Sequence, residues 1–398
     1  MNRICEIKIK RGIILVIGMF LKQFSRFVCS NNNIWIFGSS KGLSYNENSK
    51  YLHEYVRRTR NDIKCVWITR NKEVIKNLRK ENYNVYSNYS LIGLFYILCA
   101  KYYFFSTTRS DVYYFYTGRK RKIINLWHGM PIKKIVFDYK NMVDLEDYGS
   151  FKTKMWNRFV TGSKYEDMYF SISTSAFFSK FLKTAFNNPR VFNSGLPRND
   201  LFFLYNLEEL KKKLNIKEKY IVSYLPTHRG YGKGPLNPLI FGNNKIAEKY
   251  FSKYSIKILV KFHPNMEGLD RESSNSNVIN ISQNGFDAQE ILAISDILIT
   301  DYSSCYIDYL LLNRPIIFYH YDSYEENDNE LYFRIDDYKV GPVVKNEDDL
   351  FYEIKKILGG QDEFQKSREY VTKIFHKNVD GDSSRRIIDI LLNEYKNE

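Results

Sequence analysis

The chain has no CxxC pair: its five cysteines, Cys5, Cys29, Cys65, Cys99 and Cys305, are odd in number and widely scattered. Thiolate zinc sites need closely spaced ligand pairs and secreted scaffolds need an even disulfide framework, so this pattern points to a reducing compartment and away from structural zinc. Internal repeats and low-complexity tracts are also missing. No apolar run reaches the roughly 20 residues that a bilayer span needs. The longest early run, residues 13–21, lies between Lys8, Lys10 and Arg11 on one side and Lys22 and Arg26 on the other, with no small-residue cleavage site after it. Residues 1–30 therefore read as a basic apolar segment, either a helix lying on an anionic membrane surface or an ordinary first helix packed on the domain that follows.

Zinc-finger spacing, RNP-like aromatics and helix-turn-helix signals are absent too, so nucleic acid is not an expected partner. The sole Asp-x-Asp, Asp380-Gly381-Asp382, precedes a helical segment and reads as its cap, so no metal is expected.

What is present is charge and aromatic mass. Sixty Lys and Arg against 45 Asp and Glu leave +15 on 398 residues, which favours phosphate-bearing ligands or anionic membrane. With 33 Tyr and 28 Phe the chain is globular almost throughout, and its length suits two domains. From Asn33 onward short β-branched or aromatic runs alternate with helical stretches, the mark of parallel sheets covered by helices. Strands are expected at 34–37, 64–68, 83–86, 101–105, 122–126, 170–173 and 190–193. A second series is expected at 220–224, 256–261, 277–281, 297–300 and 315–318. The fold class is therefore α/β, GT-B-like, with two doubly wound Rossmann-type domains facing a cleft: an N-terminal domain over 31–205, a C-terminal domain over 206–375, and a closing helix over 376–398. In such sheets ligands bind beyond the carboxyl ends of the strands.

Four blocks at strand ends carry chemistry. Trp127-His128-Gly129 places an imidazole where it can accept a hydroxyl proton near neutral pH, or it is a core histidine satisfied by backbone groups. Thr227-His228-Arg229-Gly230 supplies a hydroxyl, a guanidinium and a close backbone approach, all suited to a diphosphate. Lys261-Phe262-His263-Pro264 sets a cation and an imidazole where charge on a leaving phosphate could be neutralised. Thr300-Asp301-Tyr302-Ser303-Ser304 joins a strand to a helix spanning 305–313, whose start is either a phosphate seat or simply capped by Ser303 and Ser304. Asp308, one turn further in, hydrogen-bonds a loop or ligand hydroxyl, or is a partnered polar residue.

With Ser194-Gly195-Leu196-Pro197-Arg198-Asn199-Asp200 and Asp380-Gly381 added in order, the stretch from about Lys101 to Arg385 resembles the CDP-glycerol:glycerophosphate glycerophosphotransferase family of teichoic-acid primases and polymerases. The resemblance implies a GT-B fold, a CDP-glycerol or other CDP-polyol donor held mainly by the C-terminal domain, and a lipid-linked or polymeric acceptor entering from the N-terminal side. It implies no further cofactor. Carried onto this chain, His128 is the general base and His263 assists at the donor phosphate. Thr227, Arg229, Ser303 and Ser304 are donor phosphate ligands, with Lys261 and Asp308 in support and Gly129, Arg198 and Asp301 as further motif positions. A cytoplasmic enzyme, peripheral at the inner membrane face, follows. Two departures from the family pattern are His228, where an aromatic residue is common, and the lack of a long N-terminal extension, which suggests a compact enzyme. Competing readings are a GT-B glycosyltransferase using a UDP- or CMP-sugar and a non-catalytic protein that binds polyanions or membrane.

Overall fold

A computed structural model describes residues 20–21, 23–25, 27–113, 121–139, 168–204, 206–227, 239–262, 273–282, 285–322 and 330–396. Most of the basic N-terminal segment lies outside them.

The described residues form two compact units. The first holds those through His128, Lys134–Arg198, and the residues from Asp382 onward; the second holds Gly129–Lys133 and Asn199–Gly381. The chain thus changes unit at 128/129, 133/134, 198/199 and 381/382, against the breaks at 205/206 and 375/376 expected from sequence.

Unit one is built on seven strands: β1 (Asn31–Gly38), β2 (Lys64–Thr69), β3 (Val85–Ser87), β4 (Ala100–Phe105), β5 (Lys122–Asn125), β6 (Phe170–Ile172) and β7 (Val191–Phe192). Their order is β3-β2-β1-β4-β5-β6-β7, and every pairing is parallel. Parallel strands are covered on both faces, so they read as unbroken apolar runs rather than alternating ones. Tyr103, Phe104 and Phe105 of β4 show this, all buried in succession. The covering helices include α1 (Glu47–Thr59), α2 (Lys72–Lys80), α3 (Leu91–Cys99) and α4 (Ala176–Ala185). Local sequence starts two of them: Asn71 Oδ1 accepts from the Glu73 amide at 2.9 Å and Ser90 Oγ from the Gly93 amide at 3.0 Å. Each such cap stabilises its helix by about 1 kcal/mol.

Unit two repeats the plan with β8 (Tyr220–Tyr224), β9 (Ile256–Val260), β10 (Val278–Asn280), β11 (Ile297–Thr300), β12 (Ile316–Tyr319) and β13 (Val343–Val344), in the order β10-β9-β8-β11-β12-β13. Its helices include α5 (Lys245–Tyr254), α6 (Ala288–Ile294), α7 (Cys305–Tyr309), α8 (Glu347–Leu358) and α9 (Gln365–Phe375). Beneath the sheet Val222, Tyr224, Ile258, Ile299 and Ile317 meet Phe251 of α5 and Ile354 of α8. The closing helix, α10 (Ser383–Lys396), belongs to unit one and lies against α1. All twelve expected strands are present. The one not anticipated is β13, whose two residues are too few to show a period.

Strand order reverses between β1 and β4 in unit one and between β8 and β11 in unit two. Those reversals open a crevice at the carboxyl ends of the strands, the place where doubly wound sheets take ligands.

Candidate active site

In unit two the reversal brings the end of β8 beside the end of β11. Leu225 N donates to Ile299 O at 2.9 Å, and Thr300 Oγ1 donates to Leu225 O at 2.7 Å, which locks the two strand ends together. Beyond them the Asp301 carboxylate gathers both loops through one oxygen. Oδ1 accepts from the Thr227 amide at 2.7 Å, the Thr227 hydroxyl at 2.5 Å and the Tyr302 amide at 2.7 Å. Asp301 is fully buried, while Thr227, Tyr302, Ser303 and Ser304 are half-buried along the rim. Thr227, Ser303 and Ser304 are therefore brought together as a polar rim over a buried carboxylate.

The helix after them is shorter than the sequence suggests. It runs only from Cys305 to Tyr309 before tightening to 3-10 geometry at Leu310–Leu312. A single α-turn carries little macrodipole, so any anion preference here rests on local N–H and hydroxyl groups. Ser304 makes no side-chain cap, and Ser303 Oγ accepts from the Cys305 amide at a long 3.5 Å, which leaves both hydroxyls largely uncommitted to capping. Burial pushes the Cys305 thiol up to about 11, so it is no thiolate nucleophile at neutral pH.

Asp308 stands apart from this rim. It is buried, and its carboxylate accepts from Asn199 Nδ2 at 2.9 Å and Gln289 Nε2 at 3.4 Å, so it faces the interior of unit two and orders Asn199. Lys261 follows β9 and is half-buried. Desolvation lowers its pKa, while Asp287 and Glu290, the capping box of α6, raise it. Arg229 and His263 lie outside the described residues.

In unit one His128 follows β5. The residue before it, Trp127, takes a left-handed φ of 50° and Gly129 after it a φ of 143°, so the chain bends sharply on both sides of the imidazole. A non-glycine residue keeps such a φ only when its neighbours hold it. Asn125 Oδ1 accepts from the Trp127 amide at 3.0 Å, and Asn48 Nδ2 donates to the Leu126 and Trp127 carbonyls at 3.1 and 2.8 Å. Arg198 Nη1 donates to the His128 carbonyl, and Asn48 Oδ1 accepts from the Arg198 amide at 3.1 Å.

The imidazole Nδ1 lies 3.2 Å from the Ser106 carbonyl oxygen. A carbonyl only accepts, so Nδ1 carries the proton and Nε2 presents a lone pair. The residue is exposed, yet protein surrounds the ring closely enough that desolvation lowers its pKa; Glu47 and the Ser106 carbonyl raise it and Arg198 lowers it further. The group is thus a neutral base at physiological pH.

A family model for CDP-glycerol:poly(glycerophosphate) glycerophosphotransferases matches residues 19–393. The chain belongs to that family. Within it, this glycerophosphotransferase is 28% identical over 382 residues to the teichoic acid poly(glycerol phosphate) polymerase of Bacillus spizizenii, covering 91% of this chain and 92% of the relative. It is 26% identical to the teichoic acid glycerol-phosphate transferase of Staphylococcus aureus, over 90% and 92% of the two chains. Among solved structures, the wall teichoic acid polymerase TagF superposes with a TM-score of 0.77 at 21% identity, covering 98% of this chain and 97% of that one. At that identity the likeness speaks for the fold, which is GT-B-like with two parallel-sheet α/β domains.

The glycerophosphotransferase also carries site residues that sequence reading passed over. Asn48 and Ser49 open α1 yet are fully buried, and Ser106, Thr107 and Asp111 cluster after β4. The signal was there: Ser106-Thr107-Thr108-Arg109-Ser110-Asp111 is a polar burst directly behind an apolar strand. Burial pushes the Asp111 carboxyl up, and the amides of Lys41, Thr107 and Ser106 draw it back down.

Proposed function

We propose that this chain transfers glycerol phosphate from CDP-glycerol to a hydroxyl of a lipid-linked or polymeric teichoic-acid-type acceptor and releases CMP. One observation carries the reading: the family match runs through both Rossmann-type units, from residue 19 to residue 393, so donor and acceptor machinery are inherited together.

In this mechanism His128 Nε2 takes the proton of the acceptor hydroxyl, whose oxygen attacks the β-phosphorus of CDP-glycerol. The bond from that phosphorus to the bridging oxygen breaks, and CMP departs with the electron pair. Thr227, Ser303 and Ser304 hold the pyrophosphate, and Arg229, Lys261 and His263 neutralise charge on the leaving group. Phosphoryl transfer depends on positioning and charge neutralisation more than on covalent catalysis, which suits a neutral imidazole and a rim of hydroxyls.

The enzyme works at the anionic inner face of the cell membrane. No helix among the described residues is long and apolar enough to cross a bilayer. Support for surface binding comes from large apolar side chains left open to solvent: Phe20, Phe24 and Phe27 near the N-terminus, and Leu91, Ile92 and Phe95 on α3. The two stretches border one core, since Leu21 and Val28 pack on the cluster that holds Ile97 and Leu98, and Arg121 donates to the carbonyls of both Ser25 and Leu98. A net charge of +15 adds attraction to anionic lipid.

The test is nucleotide release, CMP from CDP-glycerol, CDP-ribitol and CMP-sugars and UDP from UDP-sugars, with lipid-linked acceptors. Turnover with CDP-glycerol is expected; turnover confined to sugar nucleotides would replace this reading with glycosyl transfer.

A further inference from the structure

Unit one holds a buried carboxylate that the proposed chemistry does not use. Asp111 sits in a 3-10 turn after β4 and is fully buried. Its Oδ1 accepts from the Lys41 amide at 2.7 Å, and its Oδ2 from the Ser106 amide at 3.1 Å and the Thr107 amide at 2.7 Å. Thr107 Oγ1 lies 3.0 Å from both oxygens. One carboxylate therefore ties the loop after β1 to the loop after β4, across the point where the strand order reverses.

Ser106 is the hub of this arrangement. Its amide is held by Asp111, its Oγ lies 2.9 Å from Ser49 Oγ and accepts from the Ser49 amide at 3.1 Å, and its carbonyl meets His128 Nδ1 at 3.2 Å. The Thr107 amide, which donates to Asp111 Oδ2 at 2.7 Å, lies in the same planar peptide group as the Ser106 carbonyl, so that carbonyl has little freedom of direction. Close packing reinforces it: a Cβ on Gly38 would lie 2.5 Å from the Asp111 carbonyl oxygen and 2.8 Å from Val112 Cγ2, so the turn rests directly on the end of β1.

We infer that Asp111 is a positioning residue for His128: by fixing the Ser106 peptide it sets the Nδ1–H tautomer and the aim of Nε2. Asp111 touches no reacting atom; it acts through the peptide group between Ser106 and Thr107, and its charge also favours the protonated imidazole. The inference rests on the reading of His128 as the general base, but its tautomer arm does not.

The experiment uses the full-length enzyme labelled with ¹⁵N-histidine, at a pH where the imidazole is neutral. The His128 signals are assigned by their loss in His128→Gln. In Asp111→Asn the Nδ1–H pattern of His128 is expected to give way to a tautomer mixture. kcat should fall about 10- to 100-fold, a part of the 10²–10⁴-fold a general base contributes, while KM for CDP-glycerol stays within about twofold because the donor is held by unit two. Thr107→Val, which removes one donor and keeps the carboxylate, should shift the same signals and kcat in the same direction by less, and it serves if Asp111→Asn does not fold. Unchanged His128 signals in a folded variant overturn the inference. So does a fall in kcat matched by an equal loss of folded protein with the spectrum of the remainder intact. If instead the tautomer shifts and kcat does not, the linkage stands and the role of His128 as base falls.

Discussion

The Arg198 guanidinium donates through Nη1 to the His128 carbonyl oxygen at 2.6 Å and to Glu47 Oε2 at 2.7 Å. The contact holds the peptide between His128 and Gly129, one residue beyond the strained Trp127. Arg198→Ala frees that carbonyl and leaves Glu47, which is partly exposed, to water. A hydrogen bond to a charged group contributes about 1.5–3 kcal/mol, so kcat is expected to fall about tenfold or more with donor affinity unchanged. Arg198→Lys should rescue little, since an ammonium cannot reproduce a planar guanidinium fork. Steady-state kinetics alongside equilibrium CDP-glycerol binding decide it; a loss confined to donor affinity would move Arg198 out of the base's surroundings.

The pH profile follows from the same imidazole. Desolvation holds the His128 pKa below its ordinary 6.5, and a general base works only when deprotonated. kcat should therefore climb as pH rises from 5, bend below 6.5 and stay level through neutrality. Asp111→Asn should move that bend. A wild-type rate still rising between pH 7 and 8 would assign the limiting proton to another group.

In unit two the prediction concerns affinity rather than rate. Asp301 fixes the Thr227 amide and hydroxyl and the Tyr302 amide through one oxygen, so Asp301→Ala takes that shared acceptor away and loosens both loops. A hydrogen bond to a charged group contributes about 1.5–3 kcal/mol, and CDP-glycerol binding should weaken about 10- to 100-fold. Asp301→Asn keeps an acceptor in place and should lose less. Calorimetric titration with CDP-glycerol reads both; an unaltered Kd in a folded Asp301→Ala would remove the rim from donor recognition.

These sites were legible in the sequence to different depths, for a physical reason. Strands buried on both faces declare themselves as apolar runs, which is why β4 and β11 were plain, and a polar burst at a strand end marks a ligand loop, which is how Thr227, Asp301 and His128 stood out. Nothing local shows that Asp301 is the buried keystone beneath Thr227, because the two are 74 residues apart in sequence. Asp308 illustrates the converse: helical spacing puts it one turn beyond the serines, but only tertiary packing reveals Asn199 and Gln289 around its carboxylate. Asn48 was invisible, since its partners at Leu126, Trp127 and Arg198 are distant along the chain.

Gly38 gives a test through packing alone. An added methyl would press on the Asp111 carbonyl at 2.5 Å, backbone that has little room to yield. Gly38→Ala should destabilise unit one by about 1–3 kcal/mol as overpacking does, and lower kcat with donor affinity preserved. Urea unfolding gives the first quantity and single-turnover CMP release the second. Full activity at reduced stability would show that the turn can shift without disturbing His128.

Membrane attachment is best tested by substitution and not by deletion. Removing residues 1–30 would strip Leu21 and Val28 from the core of unit one and take the Ser25 carbonyl from Arg121 Nη1, 3.3 Å away, so release from membrane and local unfolding would be confounded. Phe20 and Phe27, by contrast, are 71% and 84% exposed, and Leu91 is 86% exposed, so their replacement costs the fold little. Inserting an aromatic or leucine side chain into the interface removes apolar surface worth up to about 1.5–3 kcal/mol if fully buried. Phe20→Ser with Phe27→Ser should therefore reduce sedimentation with phosphatidylglycerol vesicles at least about tenfold, and adding Leu91→Ser and Ile92→Ser should reduce it further. Salt should weaken what remains, because the residual attraction is screened charge. CMP release with a soluble acceptor should be unchanged, since none of these side chains is assigned to substrate. Equal vesicle binding by the quadruple variant would leave electrostatics alone to hold the enzyme at the membrane.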